Sequence, residues 1–230
     1  MRKEDFLKPF NSEFMGNSGI KTSKPQKNHV ETFKTGTTTV GITCKDAVIL
    51  GTDKRATMSY FVASKNAEKL HKIQNHVWMT IAGGVADALY LVDILRAETK
   101  IFQLAHDGKP IKINSAGKML SNILYQNKMF PFQVGLILGG ITEEEGPVLL
   151  NISAYGSILK SPFVSVGSGQ GFSYGVLEAK YKDNLTIEEG KEIVTKAISS
   201  SIIRDMFSGN GIDIVVIQKE GSAEREFISI

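Results

Sequence analysis

The sequence predicts an α+β layered sandwich, two sheets lying face to face with helix pairs outside. Two features of the pattern carry that expectation. Strand-length apolar runs rich in Thr, Val and Ile gather in groups towards both ends of the chain, and stretches of helical period come in pairs. Strand and helix do not alternate one for one, as a parallel sheet with crossover helices requires.

Taken in order, residues 37–44 form the first strand, since its Thr, Val and Ile side chains suit a pleated, half-buried surface. Residues 47–52 are its hairpin partner, joined at Lys45-Asp46. The polar stretch 54–75 predicts short extended pieces at most, and the apolar strand 77–82 ends at Gly83-Gly84. From Val85 to Ala105 the period turns helical, with Val85, Leu89, Val92, Leu95 and Ile101 near one face, until His106-Asp107-Gly108-Lys109-Pro110 stops it. A second helix over 115–126 presents Met119, Leu120, Ile123 and Leu124. Strands follow at 133–138, 148–153 and 163–166, the first two flanking the charged loop Glu143-Glu144-Glu145-Gly146. Gly167-Ser168-Gly169-Gln170-Gly171 opens a helix to about residue 181. Thr186-x-x-Glu189 is a capping box heading a further helix, whose apolar positions include Ile187, Ile193, Val194, Ala197, Ile198 and Ile202. Strands at 212–218 and 226–230 close the chain.

With 42% hydrophobic and 22% charged residues among 230, the composition is that of an ordinary globular chain. Residues 1–36 read as a leader: seven Lys/Arg and four Asp/Glu among scattered Asn, Ser, Pro and Gly, with no sustained period. The rest, 37–230, holds twenty residues of each sign, so the net charge of +3 belongs wholly to the leader. The body offers no basic stripe for nucleic acid. A single cysteine, Cys44, excludes an internal disulfide and sits in an apolar strand as a buried thiol. The leader lacks the apolar core of a signal peptide, and no apolar run reaches the ~18–20 residues that span a bilayer. The expectation is a cytoplasmic protein with no membrane partner.

Local motifs have ordinary explanations. The glycine loop at 167–171 resembles a dinucleotide fingerprint, but Phe172 and Tyr174 stand where glycine would be needed, and a tight turn explains it. Gly-Lys at 108–109 and 117–118 lacks the spacing of a phosphate loop. His29, His71, His76 and His106 match no zinc spacing. No cofactor and no metal is predicted. What stands out is distributed: Gly36-Thr37 where the leader ends, Asp53-Lys54-Arg55 after the second strand, Lys69, Gly83-Gly84, Ser168, and Asp205-Met206-Phe207-Ser208-Gly209 closing the last long helix. Singly, these are a Thr-rich strand behind a tail, solvated charges, turn glycines and a helix C-cap.

Together, in order and spacing, they resemble the β subunits of the 20S proteasome core, of the archaeal type. The resemblance runs from Thr37 to about Gln218. It rests on Thr37-Thr38-Thr39-Val40-Gly41, Gly51-Thr52-Asp53-Lys54-Arg55-Ala56-Thr57, Ala67-Glu68-Lys69, Ala82-Gly83-Gly84-Val85-Ala86-Asp87, Gly167-Ser168-Gly169 and Asp205-x-x-Ser208-Gly209. Sixteen residues separate Thr37 from Asp53, and sixteen more separate Asp53 from Lys69. The resemblance implies the four-layer αββα sandwich of N-terminal nucleophile hydrolases, with a propeptide, 1–36, removed by self-cleavage at Gly36–Thr37 and a catalytic domain at 37–230. It also implies partners: other β subunits in a heptameric ring, rings of α subunits, a separate ATPase regulator, and unfolded polypeptide as substrate.

The implied activity is that of a threonine endopeptidase. A threonine hydroxyl needs a base at neutral pH. Freed by cleavage, Thr37 would carry its own, an α-amine of reference pKa about 7.7–8.0. By the resemblance, Lys69 disfavours protonation of that amine through like-charge repulsion, and Asp53 orients and neutralises Lys69. Ser168, Asp205 and Ser208 form the surrounding hydrogen-bond network, and the Gly83 N–H is the oxyanion donor. Ala56, Ala67, Ile81 and Val85 line the pocket for the residue before the scissile bond, which implies cutting after apolar residues. The chain departs from the family at Met206 and Phe207, where smaller residues are common, and in three extra residues ahead of Ser168. Two other readings are an unprocessed β subunit that serves as ring scaffold, and an amidase of the same fold acting on small molecules.

Overall fold

The computed structural model describes residues 36–219 and 222–230; of the predicted leader only Gly36 falls among them, and the expectation for 1–35 lies outside the described residues. One sheet is built from β1 (Thr38–Thr43), β2 (Ala47–Asp53), β10 (Phe163–Gly167), β11 (Ile212–Gln218) and β12 (Ala223–Ile228), in the order β10-β1-β2-β11-β12. The other comprises β5 (Leu70–Gln74), β6 (Val77–Gly83), β7 (Val134–Thr142), β8 (Gly146–Ser153) and β9 (Ile158–Lys160), paired in sequence order. Every pairing is antiparallel, and β3 (Ala56–Met58) with β4 (Phe61–Ser64) makes a small hairpin apart from both sheets.

Three apolar layers hold four structural ones together. Between the sheets lie Val48, Leu50, Val164 and Val215 from one and Trp78, Ile137 and Leu149 from the other. Helices α1 (Val85–Ala105) and α2 (Ile113–Gln126) pack Leu91, Leu95, Leu120 and Leu124 on Met79, Leu136, Leu138 and Leu150. Helices α3 (Gln170–Lys180) and α4 (Ile187–Arg204) pack Leu177, Val194, Ala197 and Ile198 on Val40, Ile42, Ile49 and Ile214. The order is helix, sheet, sheet, helix, as expected. The central strands β1, β2, β6, β7 and β8 are covered on both faces, so they read as largely continuous apolar runs rather than alternating ones.

The structure corrects several details. The polar stretch after residue 54 holds three strands. Its β3–β4 hairpin turns through Ser59 at φ 56° and leaves Tyr60 and Phe61 exposed, so burial imposed no alternation there. Strand β9 is three exposed residues at a sheet edge and left no signal. In α1 the buried stripe is Ala88, Leu91, Val92, Leu95 and Thr99, while Val85, Leu89 and Ile101 are exposed; the predicted face shares only Val92 and Leu95 with it. Helix α2 begins earlier than expected because Glu145, from the charged loop, accepts from the Ile113 and Asn114 amides and satisfies its free end. The capping box at α4 is present in both directions, Glu189 N–H to Thr186 Oγ1 at 3.2 Å and Thr186 N–H to Glu189 Oε2 at 3.0 Å. No helix among the described residues is long and apolar enough to cross a membrane.

Candidate active site

The head of β1 is where the sheets' ends converge. Antiparallel register sets Thr39 opposite Thr52 and Thr38 opposite Gly167, so Thr37 emerges between the end of β2 and the end of β10. The pairing of Ile212 with Asp53 carries in the turn 205–209, which precedes β11. From the other sheet, Lys69 leads into β5 and is bound through its carbonyl by the Ile81 N–H at 3.0 Å, near the end of β6 at Gly83. Residues far apart in sequence thus meet because six strand ends, of β1, β2, β5, β6, β10 and β11, share one rim.

Asp53 is fully buried and accepts four hydrogen bonds. Its Oδ1 receives the Lys69 ammonium at 2.7 Å and the Thr38 N–H at 2.9 Å; its Oδ2 receives the Arg55 and Gly209 amides, each at 3.0 Å. Burial pulls Lys69 below the ordinary lysine range, and the Asp53 carboxylate opposes that pull. A second chain of bonds starts at Thr37. Its N–H donates to Ser168 Oγ at 3.1 Å, and Ser168 donates to Asp205 Oδ2 at 2.6 Å. Ser208 donates to the same carboxylate oxygen at 2.7 Å, which leaves the Thr38 hydroxyl to donate to Ser208 Oγ across 2.7 Å. The nitrogen of Thr37 therefore faces a relay of hydroxyls that ends on a carboxylate.

Thr37 and Lys69 open on a cleft of about 390 Å³, whose walls include Gly36, Gly83 and all four predicted pocket residues, Ala56, Ala67, Ile81 and Val85. Val85 stands at its edge, 53% exposed, and Ile81 lies deep at 5%. Glu68, His71 and Leu89 line it as well. His71 is buried and its ring is held below the ordinary histidine range by that burial. A larger hollow of about 760 Å³, walled by Asn75, Phe102, His106 and Lys219 among others, contains none of the residues above. Converging polar groups, not size, distinguish the smaller cleft.

Two glycines are dictated by this geometry. Gly83 has φ +104°, and a Cβ there would lie 2.2 Å from the Gln133 carbonyl oxygen. A Cβ on Gly36 would lie 1.8 Å from the Cβ of Phe207. Phe207, one of the two departures from the family pattern, thus closes off the residue ahead of Thr37.

Every predicted site residue is part of this constellation. Sequence reading missed the Thr38 amide and hydroxyl, which bond Asp53 and Ser208. It also gave no role to Arg55, whose guanidinium holds the turn 206–210 through the Met206 carbonyl (2.8 Å) and Asn210 Oδ1 (2.9 Å). The signal for Arg55 was its place beside Asp53, opposite a turn rich in acceptors.

The family model described as "Proteasome subunit" matches residues 33–217. Among curated proteins, a proteasome subunit beta of Methanocaldococcus vulcanius is 46% identical over 193 residues, covering 84% of this chain and 86% of its own. A proteasome subunit beta 2 of Nitrosopumilus maritimus is 44% identical over 186 residues, covering 81% and 88%. A proteasome subunit beta 2 of Aeropyrum pernix is 41% identical over 192 residues, covering 84% and 86%.

Proposed function

This chain belongs to the proteasome β-subunit family, and on that premise we propose that it is a threonine endopeptidase, made active by removal of residues 1–36. The observation that carries the reading is the pair of bonding systems around Thr37: the Ser168–Asp205–Ser208 relay on its nitrogen, and the Asp53–Lys69 ion pair on the same cleft. In the first reaction the Thr37 hydroxyl attacks the Gly36 carbonyl, the acyl group passes from nitrogen to oxygen, and water releases the leader. The freed α-amine then takes the hydroxyl proton when a substrate carbonyl is attacked. Lys69 keeps the amine unprotonated by charge repulsion, Asp53 holds Lys69 in place, and the Gly83 N–H receives the developing oxyanion. Ala56, Ala67, Ile81 and Val85 take an apolar side chain.

A proteasome subunit assembles with other proteasome subunits. We take the assembly to be a heptameric β ring stacked on α rings in the cytoplasm, fed with unfolded polypeptide by a separate ATPase, since this sequence has no phosphate loop. Exposed Tyr60, Phe61, Met129 and Phe130 are apolar surface in keeping with subunit contacts.

Intact mass tests the central claim. Wild-type chains in assembled particles should begin at Thr37, and Thr37→Ala chains should keep residues 1–36 and cleave no peptide. A particle of Thr37→Ala chains alone that starts at residue 37, or that retains peptidase activity, refutes it.

A further inference from the structure

We propose that a second chain of charges, keyed by Arg225 of the last strand, positions Lys69 against Asp53; this rests on reading that pair as the one acting on Thr37. Residue by residue, the neighbours of the pair carry the opposite signs: Lys54 follows Asp53, and Glu68 precedes Lys69. Those neighbours are joined to each other. The Lys54 ammonium donates to Asp213 Oδ2 at 2.8 Å, Arg225 Nη2 donates to the same oxygen at 2.9 Å, and Arg225 Nη1 donates to Glu68 Oε1 at 2.7 Å. A run of alternating charge, Lys54–Asp213–Arg225–Glu68, therefore lies beside the Asp53–Lys69 pair and is fastened to it by two peptide bonds.

The backbone adds to the coupling. The Ala67 N–H donates to the Lys54 carbonyl at 2.9 Å, so segment 67–69 and segment 53–55 are already in contact. Glu68 is the tie on the Lys69 side, and Arg225 reaches it from β12, where Arg225 stands opposite Val215 in the register. Stability alone does not account for this network. Lys54 and Asp213 are 7% and 2% exposed, and an apolar pair of similar volume serves a buried site as well or better. What the charges supply is direction: a planar fork gripping one buried carboxylate and one on the cleft wall fixes the distance between them. A lysine has no such fork. Arg225 touches no reacting atom and is a positioning residue.

The test uses assembled particles carrying Arg225→Gln, Arg225→Lys or Glu68→Gln, with kcat and KM measured against pH on a peptide ending in Leu before a reporter group. Arg225→Gln should lower kcat about tenfold with KM little changed, since the lost geometry acts on the reacting centre and not on the pocket. With Lys69 less firmly placed, it repels the amine's proton less and the amine pKa rises. The acidic limb of the kcat/KM profile then moves to higher pH. Arg225→Lys should fail in the same way. Glu68→Gln should show the same pH shift without loss of folding, because the Glu68 side chain is 58% exposed. Wild-type kcat and an unmoved acidic limb in both Arg225→Gln and Glu68→Gln overturn the proposal. So does a loss of kcat that only tracks loss of assembled particle. A wild-type particle that keeps its leader or lacks activity overturns the reading of Thr37 instead, and is seen before any variant is made.

Discussion

Replacing Asp53 by Asn changes one atom and should cost more stability than removing Lys69. Asp53 accepts from four donors with no exposure to water. Asparagine keeps one acceptor oxygen and turns the other position into a donor. With its oxygen towards Thr38 and Lys69, its NH2 meets the Arg55 and Gly209 amides; flipped, it meets the other two. Two buried donors lose their acceptor either way, at about 1–3 kcal/mol each. The buried Lys69 ammonium also loses its counter-charge, and breaking such a pair costs about 3–5 kcal/mol. These terms overlap, so the expected loss is about 5 kcal/mol against a typical net stability of about 5–15 kcal/mol. At about 2–4 °C per kcal/mol for a chain of this size, the midpoint falls by roughly 10–20 °C. Lys69→Met leaves Asp53 with three N–H donors and belongs at the low end, about 3 kcal/mol. The double variant has neither charge of this pair left and should melt above Asp53→Asn alone. Thermal and urea unfolding in a Thr37→Ala background, where processing cannot interfere, would measure all three. An Asp53→Asn midpoint within a few degrees of the parent, or a double variant that melts lowest, refutes the argument.

Other outcomes follow from single contacts. Gly36→Ala should slow the appearance of chains starting at Thr37 by an order of magnitude or more; because the contact is with the Phe207 Cβ, adding Phe207→Ala should not restore it and Phe207→Gly should, read by intact mass at fixed times. Substrates ending in Leu should exceed those ending in Glu by roughly a hundredfold in kcat/KM, since an unpaired buried carboxylate costs several kcal/mol where an alkyl chain gains about 1.5–3 kcal/mol; equal rates would remove the pocket assignment. Burial, with Glu189 and Glu188 nearby, pushes the Cys44 thiol up to about 11. A raised pKa contributes stability that is complete below the ordinary thiol value and is lost as pH climbs towards about 11. Cys44 should accordingly resist alkylation in the folded chain at pH 8 and react at the rate of a free thiol only in denaturant; fast labelling of the native form would contradict this.

What the sequence disclosed about the fold depended on burial. Strands covered on both faces, such as β2 and β7, were legible as apolar runs, and Thr186-x-x-Glu189 marked the head of α4 through a bond pattern confined to four residues. The β3–β4 hairpin and β9 were not legible, because exposed strands carry no hydrophobic constraint to write a period. The candidate site was legible only as a resemblance. Lys69, Ser168 and Asp205 have no local pattern, since register, not sequence neighbourhood, brings them together. Thr38 and Arg55 escaped because their roles lie in backbone and turn contacts that no spacing encodes. The Arg225 network escaped for the same reason, as its members come from four separate stretches.

The span of those bonds has a consequence in time. Asp53 receives the amide of Gly209, 156 residues later, and Thr38 meets Ser208 across 170. At about 5–20 residues per second, the ribosome reaches residue 209 roughly 8–30 s after residue 53 has been made. Until the end of that interval the nascent chain holds the threonine hydroxyl without the Asp205 and Ser208 that complete the relay on its nitrogen. A chain stalled or clipped before the turn at 205–209 never acquires the relay on the Thr37 nitrogen, however well its β5–β9 sheet has formed. On the proposed reading, release of the leader is then a receipt for completed synthesis and folding, issued by the molecule to itself, and truncated chains are excluded from activity without any external inspector.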